Sequence, residues 1–291
     1  MIKNKPFKIA IASGKGGTGK TLLSTNLAAF MSKQQPTLLV DIDVEEPNDF
    51  IFIDGEIQSE SDQYKMIPAW DESKCTLCGI CSNACKFHAV VQLGTFIAVF
   101  KELCHSCYAC SELCPSQALP MQQYKIGVIK TISADNLTFI ESRLEVGEEQ
   151  AVPLIHQTQA LVDEKHSDIQ IQIFDCPPGT SCPVIAATNI ADFVILVTEP
   201  TPFGLNDLTL AVETMRKLRK DIGVVINRYG IGYADVEEYC NKEQIPILAK
   251  IPFDRTIAEY YSNGELVYDK VESVATALQS IINAIKPAHK I

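Results

Sequence analysis

SGKGGTGKT, residues 13–21, lies between an apolar run at residues 7–13 (FKIAIAS) and a stretch of helical character over about residues 19–33. Strand, glycine loop and helix in that order are the context in which Gly-x4-Gly-Lys-Thr wraps the phosphates of a nucleotide. In that template the backbone N–H groups of Gly14, Lys15, Gly16, Gly17, Thr18 and Gly19 surround the anion. Lys20 neutralises it, and Thr21 offers its hydroxyl to Mg²⁺. The helix start adds N–H groups and the positive end of its dipole. The template needs one lysine and this loop has two, which leaves Lys15 to be explained.

Working outward, short β-rich runs recur at residues 37–43 (TLLVDID), 171–175 (IQIFD), 193–200 (FVILVTEP) and 223–228 (GVVINR). Helical stretches separate them, including residues 205–220 and about 150–165. Such alternation predicts an α/β fold of the P-loop NTPase type, a parallel sheet covered on both faces. Ligands of these sheets sit beyond the carboxyl ends of the strands, and carboxylates stand there. Asp175, in IFDCPPG, suits the acid that holds Mg²⁺ through water. Asp41 and Asp43, in VDIDVEEPND, suit a switch region.

Eight of the eleven cysteines fall within 40 residues, and their spacing repeats. CTLCGICSNACKFHAV begins at Cys75 and CHSCYACSELCPSQAL at Cys104. A shift of 29 carries Cys75, Cys78, Cys81 and Cys85 onto Cys104, Cys107, Cys110 and Cys114, and Ala89 onto Ala118. C-x2-C-x2-C-x3-C is the bacterial ferredoxin pattern, in which the fourth cysteine of each run ligates the other cluster. Two [4Fe-4S] clusters are therefore expected. One takes Cys75, Cys78, Cys81 and Cys114; the other takes Cys104, Cys107, Cys110 and Cys85. Paired C-x2-C units also bind zinc, but three cysteines at two-residue gaps, occurring twice, fit a cubane better. Pro115 follows Cys114 as the pattern expects, whereas Lys86 replaces the proline after Cys85. His88 and His105 are not needed as ligands. Residues 67–125 thus read as a small α+β ferredoxin-like domain inserted into a discontinuous ATPase domain, residues 1–66 and 126–291. Residues 124–148 hold two expected strands that return the chain to the sheet.

KGGTGKT resembles the deviant Walker A motif of the MinD/ParA/Mrp and nitrogenase-iron-protein class. DCPPGTSCPVIAATNIADFVILVTEPTPFGLNDL is similar to the switch II region, strand and helix of MinD-superfamily ATPases carrying an inserted ferredoxin domain. The resemblance spans the whole chain and implies an ATP- and Mg²⁺-dependent ATPase that dimerises with nucleotide, as a homodimer or with a related ATPase. It makes Lys15 a lysine that reaches the partner subunit's ATP, Asp43 the acid that positions water, and Asp41 an outer Mg²⁺ partner. Asn227, in VVINRYG, would contact adenine, with Pro252 and Asp254 of IPFD beside the base. Cys176, Cys182 and Cys240 remain. Lone cysteines usually pack as small hydrophobes, although Cys182 is placed like a ligand of the cluster shared across the nitrogenase iron protein dimer.

A net charge of −11 and a pI near 5.0 argue against nucleic acid or an anionic membrane as the main partner. No stretch reaches the roughly 20 apolar residues of a membrane span, and the N-terminus runs straight into the motif, so the expectation is a cytoplasmic protein without stable membrane association. Cysteines at this density in a cytosolic chain point to metal or redox chemistry. Two roles fit. The first is an ATP-driven electron carrier acting on a redox partner. The second is a scaffold or carrier ATPase serving a metal-cluster client, although the C-terminal C-x2-C of Mrp-type proteins is absent. A positioning ATPase fits less well, because residues 271–291 read as a packing helix with few basic residues.

Overall fold

The computed structural model describes residues 5–289. Among these, contacts define two compact units: residues up to 61, 129–143 and from 155 onward form one, and residues 62–128 and 144–154 form the other.

A sheet of nine strands runs in the order β11-β10-β9-β1-β8-β2-β7-β6-β3. The seven from β11 to β7 pair in parallel. β1 (Phe7–Ala12), β2 (Thr37–Asp41), β8 (Ile171–Asp175) and β9 (Phe193–Thr198) are buried at every position, as strands covered on both faces must be. β10 (Asp221–Tyr229) and β11 (Ile247–Pro252) extend the sheet on one side. β7 (Leu137–Leu144), β6 (Met121–Ala134) and β3 (Glu56–Pro68) extend it on the other.

β2 ends at Asp41, two residues before the expected end, because Asp43 already belongs to the loop that Asp41 organises. The helix expected at 205–220 occupies Pro202–Lys217 as α6, started by Thr201, whose hydroxyl accepts from the Gly204 N–H at 3.0 Å. β3 was missed. Its residues 56–62 are exposed, so no alternation of apolar and polar side chains marks it.

α1 (Lys20–Ser32) buries Leu22, Leu23, Leu27 and Met31 in the main core, and α9 (Glu272–His289) adds Val274, Leu278, Ile281, Ile282 and Ile285. The spacing on α9 is that of one helical face, in keeping with a packing helix. α4 (Ala151–Lys165), α5 (Cys182–Asn189), α7 (Asp235–Lys242) and α8 (Arg255–Ser262) complete the larger helices. Among the described residues no helix is long and apolar enough to cross a membrane.

The second unit contains α2 (Ile80–Ala84), the hairpin of β4 (Val90–Leu93) and β5 (Phe96–Val99), and α3 (Ala109–Glu112). Its core is built partly from cysteine: Cys81, Cys85, Cys104 and Cys110 cluster with Ile67, Val90, Ile97 and Leu119. The 29-residue duplication reappears in the backbone. Leu77 and Ser106, Gly79 and Tyr108, and His88 and Gln117 form pairs offset by that shift, and all six have φ between 50° and 75°. Glycine takes that conformation freely, whereas Tyr108 and His88 hold it at a cost. The unit also takes in residues 144–154, a segment whose sequence carries no mark of it, because Glu148 and Gln150 bond to Lys65 and Glu102.

Candidate functional site

β1, β8 and β2 are neighbours, and their register places Ile11 and Asp41 each opposite Asp175. The loop that leaves β1 at Ser13 therefore begins where both aspartates end their strands. Gly14 is obligatory there, since a Cβ would meet the Asp207 carbonyl oxygen at 2.2 Å. Gly19 has φ 99°, and a Cβ on it would meet Asn227 Nδ2 at 2.2 Å. α1 then starts with no side-chain cap and no acidic residue in its first turn, so its N–H groups are left for an outside anion.

A cavity of about 380 Å³ opens at this point. Gly16, Gly17, Gly19, Lys20 and Thr21 line one side; Asn227, Pro252, Phe253 and Asp254 line another; Asp43 and Asn48 also reach it. Lys20 is 7% exposed. Asn227 Nδ2 donates to the Thr18 carbonyl at 2.8 Å, so this side chain braces the loop as well as facing the cavity. Asp254 caps α8 by accepting from the Thr256 N–H at 2.8 Å.

Three carboxylates are packed together here. Thr21 Oγ1 can donate to Asp175 Oδ2 at 2.9 Å or to Asn48 Oδ1 at 2.8 Å, and Ser24 Oγ lies 3.0 Å from the same Asp175 oxygen. Asp41 Oδ2 accepts from the N–H groups of Asn48 and Asp49 at 2.8 and 3.0 Å, and its Oδ1 from that of Asp43 at 3.2 Å. Asp41 thus holds the loop after β2 in place. Burial, followed by the charge of Asp175, pushes Asp41 and Asp49 well above the usual carboxylate range. Burial raises Asp175 too, with Lys20 pulling it back. Asp43 is pushed up to about 6, chiefly by burial and against the pull of Lys20. Asp175 Oδ1 and Asp49 Oδ2 are buried without a hydrogen-bond partner. Crowded, unpartnered carboxylate oxygens beside a serine and a threonine hydroxyl form a donor set of the kind Mg²⁺ takes. Asn48, Asp49 and Ser24 were not singled out from the sequence; the signal for Asn48 and Asp49 was the run PND directly after VDIDVEE, and Ser24 carried none.

Lys15 lies with its side chain 35% exposed and Nζ 3.5 Å from Glu199 Oε2. Arg228 occupies the other oxygen of Glu199 at 2.6 Å.

The eight cysteines of the second unit fall into two sets. Cys75, Cys78, Cys81 and Cys114 line one small cavity, and Cys85, Cys104, Cys107 and Cys110 line another. Each cavity therefore joins three sulfurs of one run to the last sulfur of the other. Backbone N–H groups point at the sulfurs symmetrically: Ala89 donates to Cys85 Sγ and Ala118 to Cys114 Sγ, both at 3.2 Å. Burial pushes the thiols of Cys81 and Cys104 up, and that of Cys110 to about 11. Among the described residues no three Cys, His, Asp or Glu side chains are grouped to hold a single metal ion, for which donors must lie about 2.3 Å from one point. His105 stacks on Phe87, with ring centroids 3.8 Å apart. Of the remaining cysteines, Cys176 and Cys240 are fully buried and pack as expected, but Cys182 is exposed at the start of α5, so packing does not account for it.

A protein of Methanocaldococcus jannaschii described as uncharacterized is 31% identical over 284 residues, 95% of this chain and 97% of its own. An iron-sulfur cluster carrier protein of Pyrococcus horikoshii is 24% identical over 280 residues, 87% of this chain and 76% of its own. The MinD septum site-determining protein of P. horikoshii, solved with Mg-ADP, superposes with a TM-score of 0.61 at 19% identity, covering 97% of each chain. The model of the CobQ/CobB/MinD/ParA nucleotide-binding domain matches residues 9–267, which takes in the glycine loop, both acidic strand ends and the segment at 252–254, and the chain belongs to that family.

Proposed function

We propose that this protein is a Mg²⁺-dependent ATPase whose nucleotide cycle drives electron transfer through two resident [4Fe-4S] clusters. The observation that carries the reading is the pair of four-cysteine cavities, each completed by a sulfur from the other run, on one chain with a phosphate loop. Thiolates shared in this crossed manner lock the two runs together, as suits a permanent cluster better than one in transit.

At the nucleotide site, Mg²⁺ and ATP would supply phosphate charge neutralisation and the bond to be hydrolysed. The chain's own residues do the rest. Lys20 and the uncapped N–H groups of α1 bind phosphate oxygens; Thr21 and Asp175 hold the cation, with Asp49 behind them. Asp43 orients the attacking water and accepts its hydrogen bond. Phe253, exposed at the cavity rim with Asn227 and Pro252, offers a face for the base. Lys15 would leave Glu199 to reach a second subunit's nucleotide, so that a dimer forms only with ATP bound.

A second reading, an iron-sulfur carrier, is favoured by the named P. horikoshii relative. Reduction potentials measured anaerobically with and without ATP and Mg²⁺ decide between them. The electron-transfer reading expects a shift on nucleotide binding and no loss of iron to an apo-acceptor protein. Unchanged potentials, together with nucleotide-dependent transfer of iron and sulfide to the acceptor, would replace it with the carrier.

A further inference from the structure

The two cysteine runs match position for position, so residues that are equivalent under the 29-residue shift but differ in kind set the two cavities apart. Two residues after its last cysteine, the second run carries Ser116 and the first carries Phe87. Directly after its first cysteine, the first run carries Thr76 and the second carries His105. The crossing of the runs gathers the hydroxyls at one cavity and the rings at the other. Thr76 and Ser116 line the cavity of Cys75, Cys78, Cys81 and Cys114, whereas Phe87 and His105 line that of Cys85, Cys104, Cys107 and Cys110. The two rings stack with centroids 3.8 Å apart and planes 15° from parallel. Phe87 is 42% exposed, so the stack stands at the surface, between solvent and the cavity it lines.

The sulfurs follow the same division. In the ring-covered set Cys85, Cys104 and Cys110 are buried and Cys107 is exposed; in the other only Cys81 is buried, Cys75 and Cys114 are half-buried and Cys78 is exposed. Cys114 Sγ lies 3.6 Å from Ser116 Oγ. A sulfur that ligates iron carries no proton, so the hydroxyl is then the donor. The ring-covered cavity has no serine or threonine in its lining, and Ser106, whose Oγ is buried without a partner, is not part of that lining. Lys65 is paired with Glu148 at 2.9 Å, and Lys86, next to Cys85 in the chain, is exposed to solvent. Neither therefore brings an uncompensated, unscreened charge to the ring-covered set.

We propose that Ser116 and the Phe87–His105 stack set the two clusters at unequal reduction potentials, the cluster of Cys75, Cys78, Cys81 and Cys114 at the higher and that of Cys85, Cys104, Cys107 and Cys110 at the lower. The inference rests on the cluster reading above. A one-electron donor delivers one electron to an iron-sulfur core; no bond forms or breaks, and the core with its thiolates becomes more negative by one charge. Water and a hydrogen bond donated to a ligand sulfur both stabilise the more negative form. Ser116 supplies the hydrogen bond on one side, where the sulfurs are also more open to solvent. The stacked rings withhold both on the other. An electron that enters the unit therefore comes to rest on the Ser116 side, and the ring-covered cluster holds one only when both are reduced.

The duplication supplies its own test, since each run holds the residue that the other lacks. Ser116→Ala removes the hydroxyl, and Phe87→Ser opens the stack and puts a hydroxyl at the position equivalent to Ser116. Both are made in the full chain, purified anaerobically and titrated with dithionite while cubane signals are followed by electron paramagnetic resonance. The unsubstituted protein is expected to show two unequal potentials. Ser116→Ala should lower only the higher one, by about tenfold in reduction equilibrium, or about 59 mV for one electron. Phe87→Ser should raise only the lower one. If Phe87→Ser loses its iron, Ser116→Ala decides alone: a fall in the higher potential supports the inference, and a fall in the lower one, or none, overturns it. Equal potentials in the unsubstituted protein, or shifts of both clusters together in either variant, also overturn it and leave the cluster reading standing. An unsubstituted protein without cubane signals overturns both.

Discussion

Asp43 lines the nucleotide cavity with a carboxyl that burial displaces upward. It ionises at about 6 instead of its ordinary 3.8, chiefly because of burial. Its protonated form is thus favoured by folding: the penalty is absent below 3.8, grows through the window from 3.8 to 6 and is complete above it. In nucleotide-free protein, Asp43→Asn should stabilise the fold at pH 7 by at most about 3 kcal/mol. That gain should shrink as pH falls through 6, as urea denaturation at several pH values would show. An unchanged gain at every pH would remove the electrostatic cause. The same residue separates binding from chemistry. Lys20→Ala removes the charge beside the phosphates and should abolish tight ATP binding, whereas Asp43→Ala should bind ATP and hydrolyse it slowly, because water is positioned in the transition state. Equilibrium binding of a labelled nucleotide and phosphate release measure the two effects, and equal loss of binding in both variants would count against the switch role.

At the scale of elements, the glycine loop joins β1 to α1 under constraints that differ from one glycine to the next. Gly14 abuts the backbone of α6 at Asp207, whereas Gly16 has no atom within 4 Å of its would-be Cβ and no left-handed φ. Gly14→Ala should force the loop and α6 apart and cost about 3 kcal/mol, while Gly16→Ala should leave stability within about 0.5 kcal/mol. Thermal melts of the two variants without nucleotide check the contrast; similar losses would mean that the loop is not seated on α6. In the second unit, the paired left-handed residues around α2 and α3 show one backbone design used twice with different side chains. Gly79 suits the position by its freedom, and Tyr108 holds it against its own preference, which is why the duplication is easier to see in the cysteines than between them.

Two predictions belong to the whole molecule. Anaerobic protein should contain about eight iron and eight sulfide, and Cys85→Ser should deplete chiefly the cluster of Cys104, Cys107 and Cys110, although Cys85 belongs to the first run. Iron analysis with spectroscopy of the surviving signal tests this, and stoichiometric zinc would refute it. The second concerns assembly. Lys15→Ala should leave the monomer folded and lower ATP-dependent dimerisation and hydrolysis together, by as much as about 10³ in rate if the lysine acts in trans. Mixing Lys15→Ala with Asp43→Ala subunits should restore one composite site. A wild-type rate in Lys15→Ala would leave Lys15 as no more than the partner of Glu199. The sequence by itself determined the parallel α/β core, because fully buried strands must be written as continuous apolar runs, and it marked the glycine loop and both cysteine runs, because close backbone approach demands glycine and the cysteines repeat at one set spacing. Tertiary structure alone decided that Asp49, Ser24 and Asn48 converge on Asp175, that Glu199 receives Lys15, and that Glu148 is buried against Lys65. Those contacts join residues 25 to 184 positions apart, and polar side chains carry no periodic mark of a partner so far along the chain.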